Sequence, residues 1–219
     1  MIKVIAFFLL IITVDANAQG LPVTAYNSSD TTKPIVLYVS GDGGLSNSFS
    51  QLLKKMNVLG YPIIGLNAQS YFWKRKKPQR LTDDFTRLLA YYIDTWHRSS
   101  FALVGYSFGA DVLPFFQNRL SPEFAALNRQ TILMSPSRRT DLEIHILGMI
   151  GCELRRGYSI SKEINRMKGP VTVFFGTAEH KFPMKDITSS NIHFAFFPGG
   201  HHYRSDVDQV VSCLTDTIR

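Results

Sequence analysis

Gly105-Tyr106-Ser107-Phe108-Gly109 closes an apolar run, Phe101 to Val104, and opens directly into a segment able to form a helix. A serine on a sharp strand-to-helix turn stands clear of its strand and can attack an ester or acyl carbon. Such a turn tolerates little side chain on its flanks, and Gly105 and Gly109 meet that demand. The hydroxyl needs a general base, and histidine suits the role because its pKa of about 6.5 lets it take and return a proton. His201 and His202 both fit, in Phe197-Pro198-Gly199-Gly200-His201-His202-Tyr203 after the last apolar run. His202 is favoured because an aromatic, Tyr203, follows it directly. The base in turn needs a carboxylate to fix its tautomer and stabilise the imidazolium. Glu179, three residues past Gly176, holds the expected place, with Asp186 and Asp141 in reserve. His180 precedes the last strand and reads as a loop residue.

Acyl transfer also needs N–H donors aimed at the developing oxyanion. Phe108 supplies the N–H that follows the nucleophile. Ser40-Gly41-Asp42-Gly43-Gly44, directly after the first buried run, lets backbone approach a substrate closely, and the N–H groups of Gly43 and Gly44 are its candidate donors. A phosphate-binding loop is the rival for this glycine cluster, but no Gly-Lys-Ser/Thr follows. The histidines show no metal-ligand spacing, and His193 falls within a strand, so the chemistry calls for no metal and no cofactor.

These residues require a frame that brings distant loops together. Pro34 to Ser40, Tyr61 to Leu66, Phe101 to Gly105, Gln130 to Met134, Val171 to Phe175 and Ile192 to Phe197 read as buried strands, with Leu21 to Ser28 as a short edge strand. Between them lie helical repeats: Phe49, Leu52, Leu53, Met56 and Leu59, then Phe85, Leu88, Leu89, Tyr92, Ile93 and Trp96. Another helix follows Ser107, and Asp206 to Ile218 closes the chain. Alternating strands and helices predict an α/β fold: a mostly parallel sheet with helices on both faces. With the serine turn and the order serine, glutamate, histidine, this is the α/β-hydrolase fold. Loops leaving the carboxyl ends of the strands, 41–48, 67–80, 106–108, 135–141, 176–190 and 198–205, should then converge. The 135–169 stretch is the least patterned. Leu142 to Ile150 reads as a helix or a small cap, so any lid is minimal.

Residues 1–18 read as a cleaved secretory signal: Lys3, an apolar run from Val4 to Val14, then Ala16-Asn17-Ala18. That run is short of the about 20 residues that span a bilayer. Residues 19–219 form one domain of a periplasmic or secreted protein, without repeat or linker. The net charge is +7, much of it in Lys74, Arg75, Lys76, Lys77 and Arg80, a cluster suited to anionic membrane surfaces or phosphate groups. Export argues against nucleic acid. Cys152 and Cys213 are able to pair in an oxidising compartment or to remain buried thiols.

The blocks Ser40 to Gly44, Gly60 to Gly65, Tyr71-Phe72-Trp73, Gly105 to Phe115, Ser135 to Asp141 and Pro198 to Tyr203 together resemble the bacterial virulence protein family of VirJ and AcvB. The resemblance covers about 35–205, and Leu45 stands where the family's tryptophan is expected. It implies an esterase that removes an aminoacyl group from a phospholipid such as lysyl-phosphatidylglycerol. In that reading Arg138, Arg139 and the 74–80 cluster hold phosphate, while Asp42 or Asp111 meets the lysyl ammonium. The same resemblance implies an alternative, a non-catalytic periplasmic binding or secretion-associated module on a hydrolase frame.

Overall fold

The computed structural model describes residues 20–145, 157–203 and 206–218. The leader over 1–18, Cys152 with its pairing to Cys213, and the second half of the 142–150 stretch lie outside them. The strands, in chain order, are β1 (Val23–Tyr26), β2 (Ile35–Val39), β3 (Ile63–Leu66), β4 (Phe101–Tyr106), β5 (Asn128–Met134), β6 (Arg139–Thr140), β7 (Tyr158–Ser159), β8 (Val171–Gly176) and β9 (Ile192–Phe197). Seven of them form one sheet in the order β1-β3-β2-β4-β5-β8-β9. β1 is antiparallel to β3, with Val23 opposite Leu66, and every other pair in that sheet is parallel.

The apolar runs become central strands because both faces of the sheet are covered. All five residues of β2 are buried, and they alternate between two cores. Ile35, Leu37 and Val39 join the first, while Val36 and Tyr38 join the second. Helices α1 (Asn47–Val58) and α7 (Val207–Ile218) pack over the second face. Helices α3 (Pro78–Thr95), α4 (Phe108–Gln117) and the short α6 (Ile160–Ile164) cover the first. The stripe Phe85, Leu88, Leu89 and Tyr92 is the buried face of α3, as its spacing requires. No helix among the described residues is long and apolar enough to cross a membrane.

Short elements join these, two of them, β6 and β7, within the unpatterned 135–169 stretch. α2 (Ala68–Tyr71) is capped by the Asn67 side chain, which accepts the Ser70 N–H at 3.1 Å. α5 (Pro122–Ala125) is capped likewise by Ser121. β6 and β7 form an antiparallel two-stranded ribbon that carries Arg139 and Thr140 opposite Ser159 and Tyr158.

The helix α4 meets the sheet at a close approach. A Cβ on Gly109 would lie 2.0 Å from the Val39 carbonyl oxygen, and one on Gly105 would lie 2.5 Å from the Gly109 oxygen. The two glycines that bracket Ser107 thus allow α4 to seat on the ends of β2 and β4. Backbone oxygens have no flexible end to yield, so Gly109→Ala should destabilise by about 3 kcal/mol, the upper end for overpacking. Gly43→Ala, with open space around its Cβ position, should stay within about 0.5 kcal/mol. Thermal or urea melts check both, and an unchanged Gly109→Ala midpoint would contradict the packing.

Candidate active site

Ser107 sits at the junction of β4 and α4 with φ 51° and ψ −115°, a backbone conformation that costs a non-glycine residue about 1–3 kcal/mol. It is held from both sides: its N–H donates to the Met134 carbonyl at 2.8 Å, and its carbonyl accepts the Asp111 N–H at 3.1 Å. The hydroxyl is thereby aimed into a cavity of about 840 Å³.

His201 reaches that hydroxyl, with Nε2 3.0 Å from Ser107 Oγ. Its Nδ1 lies 2.9 Å from Glu179 Oε2. The loop that carries His201 crosses the end of β8 closely: a Cβ on Gly176 would fall 2.5 Å from the Gly200 oxygen. Glu179 Oε1 accepts the Gly176 N–H at 2.7 Å and the Ser135 hydroxyl at 2.5 Å. Burial pushes the Glu179 carboxyl up, but the hydrogen bonds from His201, Ser135 and Gly176 outweigh it and hold the group below the usual carboxylate range. An ionised Glu179 keeps the His201 proton on Nδ1 and leaves Nε2 free to accept from Ser107.

The structure therefore brings His201, rather than the favoured His202, to the serine. His202 Nδ1 instead meets the Tyr106 hydroxyl at 2.9 Å, and that hydroxyl donates to the His201 carbonyl at 3.1 Å. Tyr203, the reason for favouring His202, has a different position: its hydroxyl lies 2.6 Å from Ser135 Oγ, under Glu179. Neither reserve acid meets His201. Asp186 is exposed, while Asp141 pairs with Arg75 at 2.7 Å and His145 at 2.9 Å.

Of the expected oxyanion donors, the Phe108 N–H stands in the first turn of α4, where no intrahelical acceptor exists. The Gly44 N–H is taken by the Gly41 carbonyl at 3.0 Å, which removes it from the candidates. Gly43 is exposed on the cavity wall, and Gly41 passes so near that a Cβ there would lie 3.4 Å from Ser107 Cβ. Asp42, Arg138 and Arg139 line the cavity, with Arg139 donating to the Gly157 carbonyl at 3.0 Å. Asp111 is buried and committed: Oδ1 accepts the Ser137 N–H at 2.7 Å and Oδ2 the Ser137 hydroxyl at 2.6 Å. It anchors the 135–139 loop instead of offering a free carboxylate. The 74–80 cluster lines no part of the cavity, and Leu45 packs into the second core beneath it.

Sequence reasoning missed Ser135, Tyr106 and Ser137, which position the central groups. Ser135 combines a φ of 50° with full burial at the end of β5, beside the serine's own strand. A polar residue directly past a buried strand was the available signal. Asp141, Glu143 and His145 also come together, their ligand atoms within 4.8 Å, a grouping able to hold a cation. Arg75 already reaches Asp141 at 2.7 Å and Glu143 at 3.1 Å, supplying the positive charge an ion would bring.

A family model described as bacterial virulence protein (VirJ) matches residues 33–219. No curated protein matches the chain. Among solved structures, a lipase-esterase related protein from Clostridium acetobutylicum superposes with a TM-score of 0.66 at 15% identity, covering 90% of this chain and 99% of that one. Est1E from Butyrivibrio proteoclasticus gives 0.60 at 11% identity, over 95% and 98% of the two chains. The Pyrococcus furiosus esterase Pf2001 gives 0.65 at 11%, over 91% and 88%. At these identities the likeness is one of fold, the α/β-hydrolase fold.

Asp111 yields a pH test. Burial raises its pKa from 3.8 to about 7, against the lowering effect of the Ser137 hydrogen bonds. The folded state then holds a proton that the unfolded chain releases. Stability from this group is fully present below about pH 4 and declines as pH rises through about 7. Asn at 111 can still accept the Ser137 N–H and donate to its hydroxyl. Asp111→Asn should raise Tm by several degrees at pH 8 and by little at pH 4, as calorimetry can read. An equal shift at both pH values would contradict a neutral, buried Asp111.

Proposed function

This chain belongs to the VirJ family of bacterial virulence proteins, and on that premise we propose that it is an exported serine esterase acting on aminoacyl-phospholipids. The observation that carries the reading is the continuous hydrogen-bonded line Ser107–His201–Glu179 on the cavity wall, with steps of 3.0 and 2.9 Å. Ser107 Oγ bonds to the ester carbonyl carbon while His201 Nε2 takes the hydroxyl proton. The oxyanion faces the Phe108 N–H and the backbone of the 41–43 loop. Collapse breaks the ester C–O bond, and His201 protonates the departing alkoxide. Water, deprotonated by the same nitrogen, then releases the amino acid and restores the serine.

The cavity lining supports this substrate class. Phe49, Met134, Phe175 and Phe182 give the cavity an apolar side for the lipid portion. Arg138 and Arg139 are suited to fork onto a phosphate, and Asp42 to meet an ammonium. The leader pattern over 1–18 supports export to the periplasm or beyond, where the substrate membrane lies.

Ser107→Ala should abolish fluorophosphonate labelling and ester turnover without lowering Tm. His201→Asn should be as inactive, while His202→Asn keeps measurable turnover; the opposite ranking would move the base to His202. Glu179→Gln should lower kcat by about 10²–10⁴-fold, the range for loss of an orienting carboxylate. Purified protein should release free lysine from lysyl-phosphatidylglycerol in mixed micelles, and charge reversal at Arg138 should raise KM more than it lowers kcat. Turnover of short esters with none of the aminoacyl lipid would remove the substrate claim and leave the esterase.

A further inference from the structure

Trp73 is 55% exposed, although the two residues before it are buried and packed edge to face, Tyr71 against Phe72 at 4.7 Å. The chain's other tryptophan, Trp96, is 6% exposed and belongs to the first core. After Trp73 come Lys74, Arg75, Lys76 and Lys77, then Arg80, with no acidic residue over 73–80. Arg75 is paired with Asp141 and Glu143, and Arg80 with Asp84. Lys76 lies over the Tyr71 ring at 4.8 Å. Lys74 and Lys77 are exposed and carry no ion pair among the described residues.

This loop is fastened to the wall of the cavity. The Lys76 N–H donates to the Leu142 carbonyl at 3.0 Å, and the Ile144 N–H donates to the Phe72 carbonyl at 3.0 Å. The Arg75 ion pairs cross the same seam. Glu143, Ile144 and His145 on the far side of the seam line the cavity. Whatever holds Trp73 and its lysines therefore holds the cavity wall too.

We propose that Trp73 with Lys74 and Lys77 is the surface on which the protein docks to an anionic lipid bilayer, setting the cavity wall against the headgroups. Tryptophan favours the headgroup level, where its ring is half in hydrocarbon and its N–H in water. The lysines that follow it draw the loop to a negative surface within about one Debye length. An acidic protein would satisfy the lysines but would leave the exposed indole without its apolar medium. The proposal deepens the lipid-directed reading above and rests on it for its purpose, while its test needs no turnover.

With Trp96 already buried, a change in indole emission on adding vesicles reports on Trp73. The full chain mixed with vesicles of phosphatidylcholine plus phosphatidylglycerol should show a blue shift and protection from acrylamide, both reversed by salt. Phosphatidylcholine vesicles alone should give neither. Trp73→Phe should remove the spectral change, and Lys74→Glu with Lys77→Glu should weaken vesicle co-sedimentation by at least about tenfold. Both variants should hydrolyse a water-soluble ester as the parent does, which separates docking from catalysis. Vesicle binding by a protein that hydrolyses no ester would still support this surface while sinking the esterase reading. An unchanged spectrum on anionic vesicles, equal binding to neutral ones, or undiminished binding by the double lysine variant would overturn the proposal.

Discussion

The Val39 carbonyl oxygen would stand 2.0 Å from a Cβ on residue 109, and the height of Ser107 above the sheet follows from that approach. With α4 seated directly on the ends of β2 and β4, the chain must turn sharply between them, and Ser107 takes up the turn at φ 51°. Strand order does the rest. β2, β4, β5 and β8 lie side by side, so the loops that leave them deliver Gly41, Ser107, Ser135 and Glu179 in one row. The register keeps that row level: Val39 pairs with Gly105, Gly105 with Leu133, and Met134 with Phe174. His201 completes it from beyond β9, through a loop that Gly176 lets pass close by.

Two carboxyl groups stand near this row, Asp111 buried and Glu179 half-buried, and their surroundings treat them in opposite ways. Glu179 receives donors from three separate residues and remains ionised despite its partial burial. Asp111 receives both of its hydrogen bonds from Ser137, lies deeper, and feels the like charge of Asp42. One group holds a charge beside an imidazole, and the other is pushed toward a neutral acid that secures a loop. Fuller burial at Asp111 and the larger number of donors at Glu179 together divide the two.

Central strands and long helices were legible because burial on both faces demands uninterrupted apolar runs, and α3 shows its stripe without ambiguity. Glu179 was legible from its place after β8. The choice between His201 and His202 was not, because adjacent residues in a loop point apart according to dihedral angles that spacing does not encode. The short elements α2, β6 and β7 are fixed by caps and by partners distant in sequence, so periodicity has nothing to register. At 74–80 charge alone could not locate the cluster: Arg75 is matched by acids far along the chain, and none of the cluster's residues lines the cavity.

Ser135 Oγ lies 2.5 Å from Glu179 Oε1, so the end of β5 already reaches the point that the loop after β8 supplies with a carboxylate. A side chain only slightly longer at 135 would bring an acid to the same imidazole from the neighbouring strand. The fold thus offers two addresses from which a carboxylate can reach His201.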